Sequence, residues 1–423
     1  MDECKFQCAA TTCVPFMTIL APNVRVCQIG CLQQTQCKAA SFVKNMSMCL
    51  LFANTVDQNN ILEADSGTFT MIVIFGSQIP LGTLFLNQTT YITSESPFAV
   101  VVADVNNDLK LDIVAASCDA NTVSVFLNKG DGTFFNQVSY ATGSQPRTVD
   151  VADINGDGKF DIVVANSGSN TVGVFLNGGN GTFLNQTTFA TSSGPYSAAV
   201  GDVNNDLKPD IVVANSGANT VEVFLNKGDG TFFNQASYAT GYYPRAGIIA
   251  DVNNDGKSDI LVAIAGSNAV GVFLNEGNGT FLNQTTYATG NQPFSVAVGD
   301  VNNDFKPDMV VGNNNGNTVS IFVNKGDGTF FNQVAYAASS HPRSVAVADV
   351  NSDGKSDIIV ANQGSNTVGV LLNGGNGTFL TQITYATNGG PFFVAVGDVN
   401  NDLKPDIVAA IPNSNTTSII LHG

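Results

Sequence analysis

From residue 95 to the end of the chain, apolar residues come in short runs of four to seven, rich in Val, Ile and Phe, separated by clusters of Gly, Asn and Asp. Runs of that length between turn formers predict β-strands joined by tight turns, and no helical periodicity competes with them. One stretch, HPRSVAVADVNSDGKSDIIVANQGSNTVGVLLNGGNGTFLTQITYAT from His341, holds four predicted strands: SVAVADV, DIIVAN, TVGVLLN and TFLTQITYAT. Its acidic segment, D-[VI]-N-x-D-x-K-x-D, begins at Asp104, Asp153, Asp202, Asp251, Asp300, Asp349 and Asp398, each 49 residues after the last. Four short strands per repeat make a propeller blade, so the expected fold is an all-β, seven-bladed β-propeller.

The chain ends at Gly423 after the third strand of its last unit, TSIILHG. The segment FLNQTTYIT (Phe85–Thr93) matches the fourth-strand motif but has no blade before it. It is expected to pair with Thr417–Leu421 and complete the last blade, covering two edges that an open ring would expose. An open β-solenoid is the rival, and it would need no matched leftovers. The expected domains are residues 1–80 and 81–423. Odd and even units differ, K-G-D-G at Lys129, Lys227 and Lys325 alternating with [GE]-G-N-G, which implies growth by duplication of blade pairs.

Charge narrows the partners. With 34 acidic against 17 basic residues and a net charge of −17, nucleic acid and anionic membranes are poor candidates and cations good ones. Seven of the eight cysteines lie between Cys4 and Cys49 and the eighth is Cys118, the density of a small disulfide-stapled domain in an oxidising compartment. Eight N-x-[ST] triplets, at Asn45, Asn87, Asn180, Asn185, Asn278, Asn283, Asn376 and Asn415, fit a secreted glycoprotein. No leader precedes Cys4 and no apolar run reaches membrane-spanning length, so the chain reads as a mature or shortened secreted form.

Each acidic segment places oxygen-bearing side chains at loop positions 1, 3, 5 and 9. The sets are Asp104, Asn106, Asp108 and Asp112; Asp153, Asn155, Asp157 and Asp161; Asp202, Asn204, Asp206 and Asp210; and Asp251, Asn253, Asp255 and Asp259. They continue with Asp300, Asn302, Asp304 and Asp308; Asp349, Asn351, Asp353 and Asp357; and Asp398, Asn400, Asp402 and Asp406. Alternate residues of a tight loop can turn oxygens inward, position 7 can add a carbonyl, and position 9 can close the shell of a hard cation such as Ca²⁺. Up to seven calcium ions are expected, their fourteen positive charges offsetting most of the −17. Position 12, a bidentate Glu in an EF-hand, is Ala115, Val164, Val213, Val262, Val311, Val360 or Ala409, so the loop is a strand-to-strand hairpin. Asp and Asn also simply favour turns, but seven intact copies argue for metal. Position 6 is Gly158, Gly256 and Gly354 in even units but Leu109, Leu207, Phe305 and Leu403 in odd ones, which are expected to bind more weakly.

These units resemble the FG-GAP or VCBS repeats of integrin α-subunit propellers and many secreted proteins, over about four-fifths of the chain. The resemblance implies calcium in the loop between the first two strands, on the lower face, and ligands on the upper face. It stops at the propeller. The segment Cys27–x3–Cys31–x5–Cys37–KAASF–Cys49–LLF resembles a PAN/apple domain, which implies disulfides Cys27–Cys49 and Cys31–Cys37 and an α+β cap. Cys118 either ties that cap to the propeller or is a buried free thiol.

A proline precedes the first strand of every blade, followed in turn by Phe98, Arg147, Tyr196, Arg245, Phe294, Arg343 and Phe392. Three of the four arginines occupy this one position. They form either a basic, aromatic rim that holds a carboxylate or sulfate in a guanidinium fork, or plain packing of arginine on aromatic rings. Catalytic signatures are missing: the two histidines, His341 and His422, lie far apart in the repeat frame and form no nucleophilic or metalloprotease motif. Asp150 and Asp119 break the repeat as acids outside the loops. The resulting expectation is an extracellular, non-enzymatic binding or adhesion module for a protein or glycan ligand. The alternatives are a carbohydrate-active lyase or hydrolase on a propeller scaffold, or a purely structural surface protein.

Overall fold

The computed structural model describes residues 84–86 and 88–423, except the side chains of 234 and 235, and six short strands within the first 83 residues. The chain divides into two compact units, Met1–Leu84 and Phe85–Gly423. In the first, Gln7–Cys8 pairs with Ala40–Ser41, Cys27–Ile29 with Cys49–Leu51, and Leu62–Glu63 with Thr70–Met71. The PAN/apple reading and its disulfides lie outside the described residues.

The second unit is a seven-bladed β-propeller, each blade a four-stranded antiparallel sheet. Blade 4 is typical: Pro244–Ala250 innermost, then Asp259–Ile264, Ala269–Phe273 and Thr285–Ala288 outermost. The second strand of every blade is buried throughout, since it has sheet neighbours on both sides and another blade against each face. The core therefore lies in the seams between blades. Between blades 3 and 4, for instance, Val212, Val221 and Val223 meet Ile260, Val262 and Phe273.

The last blade is built as the sequence implies. Thr89–Ile92 pairs with Thr416–Ile420, Tyr91 opposite Thr417. Leu86 N donates to Leu421 O at 2.8 Å, and Thr93 N to Asn415 O at 2.9 Å. Outer-strand aromatics then lock each blade to the next. Tyr91 lies edge-on to Phe126 and Phe134 of blade 1, its hydroxyl accepting from Phe134 N at 3.2 Å. Phe85, only 1 % exposed, packs against Tyr385 of blade 6 in the same way.

The fourth strand departs from expectation. TFLTQITYAT is not one strand: Thr378–Phe379 and Ile383–Ala386 are separate, and only Phe232–Ala239 of blade 3 runs unbroken. In blades 2, 4 and 6 a glutamine folds over the middle of the third strand, so close that a Cβ on Gly173, Gly271 or Gly369 would overlap Gln186, Gln284 or Gln382. Blade 3 carries Glu222 at that position, and its carboxylate accepts from Ser192 N at 3.0 Å.

Candidate functional site

The acidic loops join the first and second strands of each blade, all on one face. Their geometry comes from side-chain to backbone hydrogen bonds. In blade 1, Asp104 Oδ1 and Asn106 Oδ1 both accept from Asp108 N at 3.0 Å, and Asp104 Oδ2 accepts from Leu109 N at 2.7 Å. Position 1 and position 3 oxygens thus meet at one amide, as they do in the other six loops. Position 6 is left-handed throughout, φ being 79° at Gly158 and 64° at Leu109. A β-carbon there costs roughly 1–2 kcal/mol, and the side chain recoups nothing, since Leu109, Leu207, Phe305 and Leu403 are at least 90 % exposed.

Position 9 has a role that its loop spacing does not suggest. Asp259 is wholly buried and accepts from Val252 N at 3.0 Å through one oxygen and from Asn275 N at 2.8 Å through the other. Asp112, Asp161, Asp210, Asp308, Asp357 and Asp406 make the same pair of bonds. Burial, with a push from the carboxylates at positions 5 and 1, raises the carboxyl of Asp259 to about 6 against two opposing backbone bonds. The donor set suits a hard cation, since all are oxygens and each carboxylate oxygen taking one amide keeps a second lone pair. Among the described residues, however, no three Asp, Glu, His or Cys side chains converge as a metal cluster.

Asn275 itself ties blades together. Its Nδ2 donates to Val203 O of blade 3 at 2.8 Å and to Ser258 O at 2.6 Å. Asn128, Asn177, Asn226, Asn324 and Asn373 repeat this bridge to the preceding blade. Sequence reasoning passed over these residues, although an asparagine recurring at the end of the third strand was the available signal. In blade 7 the position is His422.

The opposite face carries the rim. In six blades a β-bulge follows the strand's first proline, as between Pro146 and Thr148, and the rim residue sits in the bulge. A bulge re-aims its side chain. All seven rim residues converge on the channel mouth: Arg147 stacks on Phe98 (4.5 Å), Arg245 on Tyr196 (4.5 Å) and Phe294 (5.2 Å), and Arg343 on Phe392 (3.8 Å) and Phe294 (5.2 Å). Seven is odd, so one aromatic pair, Phe98 and Phe392, meets edge-on at 4.8 Å. Arg343 reaches across from blade 6, its guanidinium donating to Tyr196 Oη at 3.1 Å and to Gln363 Oε1 at 3.2 Å. Burial lowers its pKa, with Arg245 and Arg147 adding to that and Tyr196 opposing it. The arginines thus stack on the rim's aromatic rings, and a cavity of about 370 Å³ opens beside them.

The two irregular acids are anchored. Asp119 accepts from Ser96 Oγ. Asp150 Oδ1 accepts from Val151 N at 2.9 Å and its Oδ2 from Val200 N of blade 3 at 3.0 Å, while burial raises its pKa to about 6. A folded-state value above the ordinary 3.8 means that the native protein holds this proton more tightly than the unfolded chain, so stability falls as pH rises from about 4 to 6. Replacing Asp150 with Asn should make that fall shallower by one carboxyl's share, since the buried aspartates of loop position 9 titrate in the same window; an unchanged profile would mean that Asp150 does not titrate there. Cys118 is a buried free thiol, and burial raises its pKa.

Comparison with known proteins agrees with this architecture. The FG-GAP-like repeat model matches at 104–164, 153–213, 202–262, 251–311, 301–360 and 349–409, so the chain belongs to the FG-GAP-like repeat family. Among solved structures it is similar to BBS1N, crystallised in complex with ARL6DN (13 % identity, TM-score 0.58, covering 80 % of this chain and 97 % of that one). It is likewise similar to virginiamycin B lyase of Staphylococcus aureus (14 %, 0.57, 79 % and 98 %). A third is an Agrocybe aegerita lectin described as recognising non-reducing terminal N-acetylglucosamine (23 %, 0.51, 73 % and 82 %). Such identities show the fold alone. No curated protein matches the chain. Among the described residues, no helix is long and apolar enough to cross a membrane.

Proposed function

We propose that the protein is a secreted, calcium-loaded propeller that acts as a binding or adhesion module, taking a protein or glycan ligand on the face opposite the acidic loops. The observation that carries this reading is the channel mouth, where all seven blades contribute one residue to a single arginine and aromatic ring beside a cavity of about 370 Å³. That volume is within the range of small-ligand sites. Related folds host both kinds of partner, a protein for BBS1N and a sugar for the lectin. The acidic loops would hold calcium through Asp and Asn at positions 1, 3 and 5, with Asp at position 9 behind them. The metal would neutralise carboxylates that otherwise repel one another.

The test combines melting with capture. Calcium that binds only the folded loops should raise the melting temperature over excess chelator, with site affinities on the order of 10⁻⁴–10⁻³ M. Asp255→Ala, in a loop with glycine at position 6, should cost more of that shift than Asp206→Ala. Immobilised protein should retain a component of cell-surface or matrix extract, or a glycan on an array, and lose it in chelator. Identical melting in calcium and chelator would remove the metal from the proposal, and capture of nothing would remove the ligand.

A further inference from the structure

The three rim arginines have no counter-ion among the described residues. Among the described residues every salt bridge joins a lysine to the aspartate two residues before it, and none involves Arg147, Arg245 or Arg343. This gathers three positive charges at one mouth of a chain whose net charge is −17. Stacking does not explain the arrangement fully. An aromatic face above or below a guanidinium satisfies its charge in part, at roughly 0.5–2 kcal/mol, but offers nothing to the N–H groups that lie in the guanidinium plane. Two of those donors, Nε of Arg147 and Nε of Arg245, are buried and have no hydrogen-bond partner among the described residues. With Nε closed off from solvent, an anion in the cavity would meet these two side chains at their terminal guanidinium nitrogens. Both arginines flank Tyr196 and line the cavity, together with Arg343 and Ser216.

We infer that this cavity is an oxyanion site, in which a carboxylate or sulfate group accepts in-plane hydrogen bonds from Arg147 and Arg245 and faces the charge of Arg343. The ring shape favours a point anion over a sugar ring, because the arginines already cover the faces of Phe98, Tyr196, Phe294 and Phe392. A forked guanidinium matches both carboxylate and sulfate geometry, and the surrounding aromatic rings keep its charge poorly hydrated. The inference names the chemistry of the ligand site proposed above and so rests on that reading.

The experiment titrates the whole protein with sodium sulfate, sodium acetate and sodium glucuronate at constant ionic strength held by chloride. It follows heat and the Nε–H resonances of the arginines by NMR. Saturable, one-to-one binding of at least one probe is expected, with the Arg147 and Arg245 Nε–H signals moving together. Binding by sulfate alone identifies a sulfate group, and binding by acetate and glucuronate a carboxylate. Arg147→Gln and Arg245→Gln should each weaken binding by roughly tenfold or more, as expected for a charge-assisted bond. Arg343→Lys, which keeps the charge, should weaken it less, and melting in calcium verifies that each variant is folded. Heat and shifts that never saturate, or that chloride reproduces, would overturn the site. Ligand capture that survives the Arg147→Gln and Arg245→Gln changes removes the anion site and leaves the binding module standing; anion binding without any capture does the reverse.

Discussion

Deletion of residues 1–94 should leave a propeller that aggregates, whereas deletion of residues 1–80 should leave a soluble, folded ring. The longer deletion removes Thr89–Ile92 and so uncovers the hydrogen-bonding edge of Thr416–Ile420. It also removes Phe85 and Tyr91, the side chains that dock blade 7 against blades 6 and 1. Losing one buried aromatic costs about 3–5 kcal/mol, and an unpaired strand edge is a template for association. Few single domains tolerate that sum. Sedimentation and circular dichroism of the two truncations settle the matter. Equal solubility and equal melting would mean that the seam between first and last blades adds nothing.

The second large effect is expected at loop position 9, and it separates a structural carboxylate from a purely metal-binding one. Asp259→Ala leaves Val252 N and Asn275 N buried without acceptors. Each orphaned donor costs about 1–3 kcal/mol. The loss should therefore appear in chelator as well as in calcium, and Asp259→Asn, which keeps one acceptor, should lose less. Asp255→Ala, at an exposed position, should be nearly silent in chelator. Denaturant unfolding with and without calcium gives the comparison. An Asp259→Ala penalty seen only in calcium would reduce position 9 to a metal ligand and contradict the anchoring role.

Asp259 also shows how function and scaffold overlap in a repeat. One carboxylate holds the loop to the blade, and the asparagine whose amide it accepts holds that blade to the previous one. Any ion bound at positions 1, 3 and 5 would thus sit over a hydrogen-bonded chain that crosses a seam. Calcium could then stiffen the ring beyond the loop it occupies.

The sequence alone determined the blade count, the strand order and the closing segment. These follow from local chemistry repeated at a fixed interval: apolar runs too short for helices, turn residues between them, and a spare fourth strand that matched a missing one. It also picked out the acidic loops and the alternating rim, because both are single positions in a 49-residue frame. It read the fourth strand as one continuous run, whereas Thr378–Phe379 and Ile383–Ala386 are separate, and the close approach of Gln284 to Gly271 is a tertiary contact that the pattern of a single strand does not record. Only the tertiary structure decided that Asp259 is buried with both oxygens engaged, because its two amides come from the first-to-second-strand loop and from the end of the third strand. Only closure of the ring brought Arg343 of blade 6 to Tyr196 of blade 3, 147 residues away in sequence, and left two neighbouring guanidinium donors without acceptors. Contacts across a channel depend on how seven blades wrap around an axis, and no local pattern encodes that geometry.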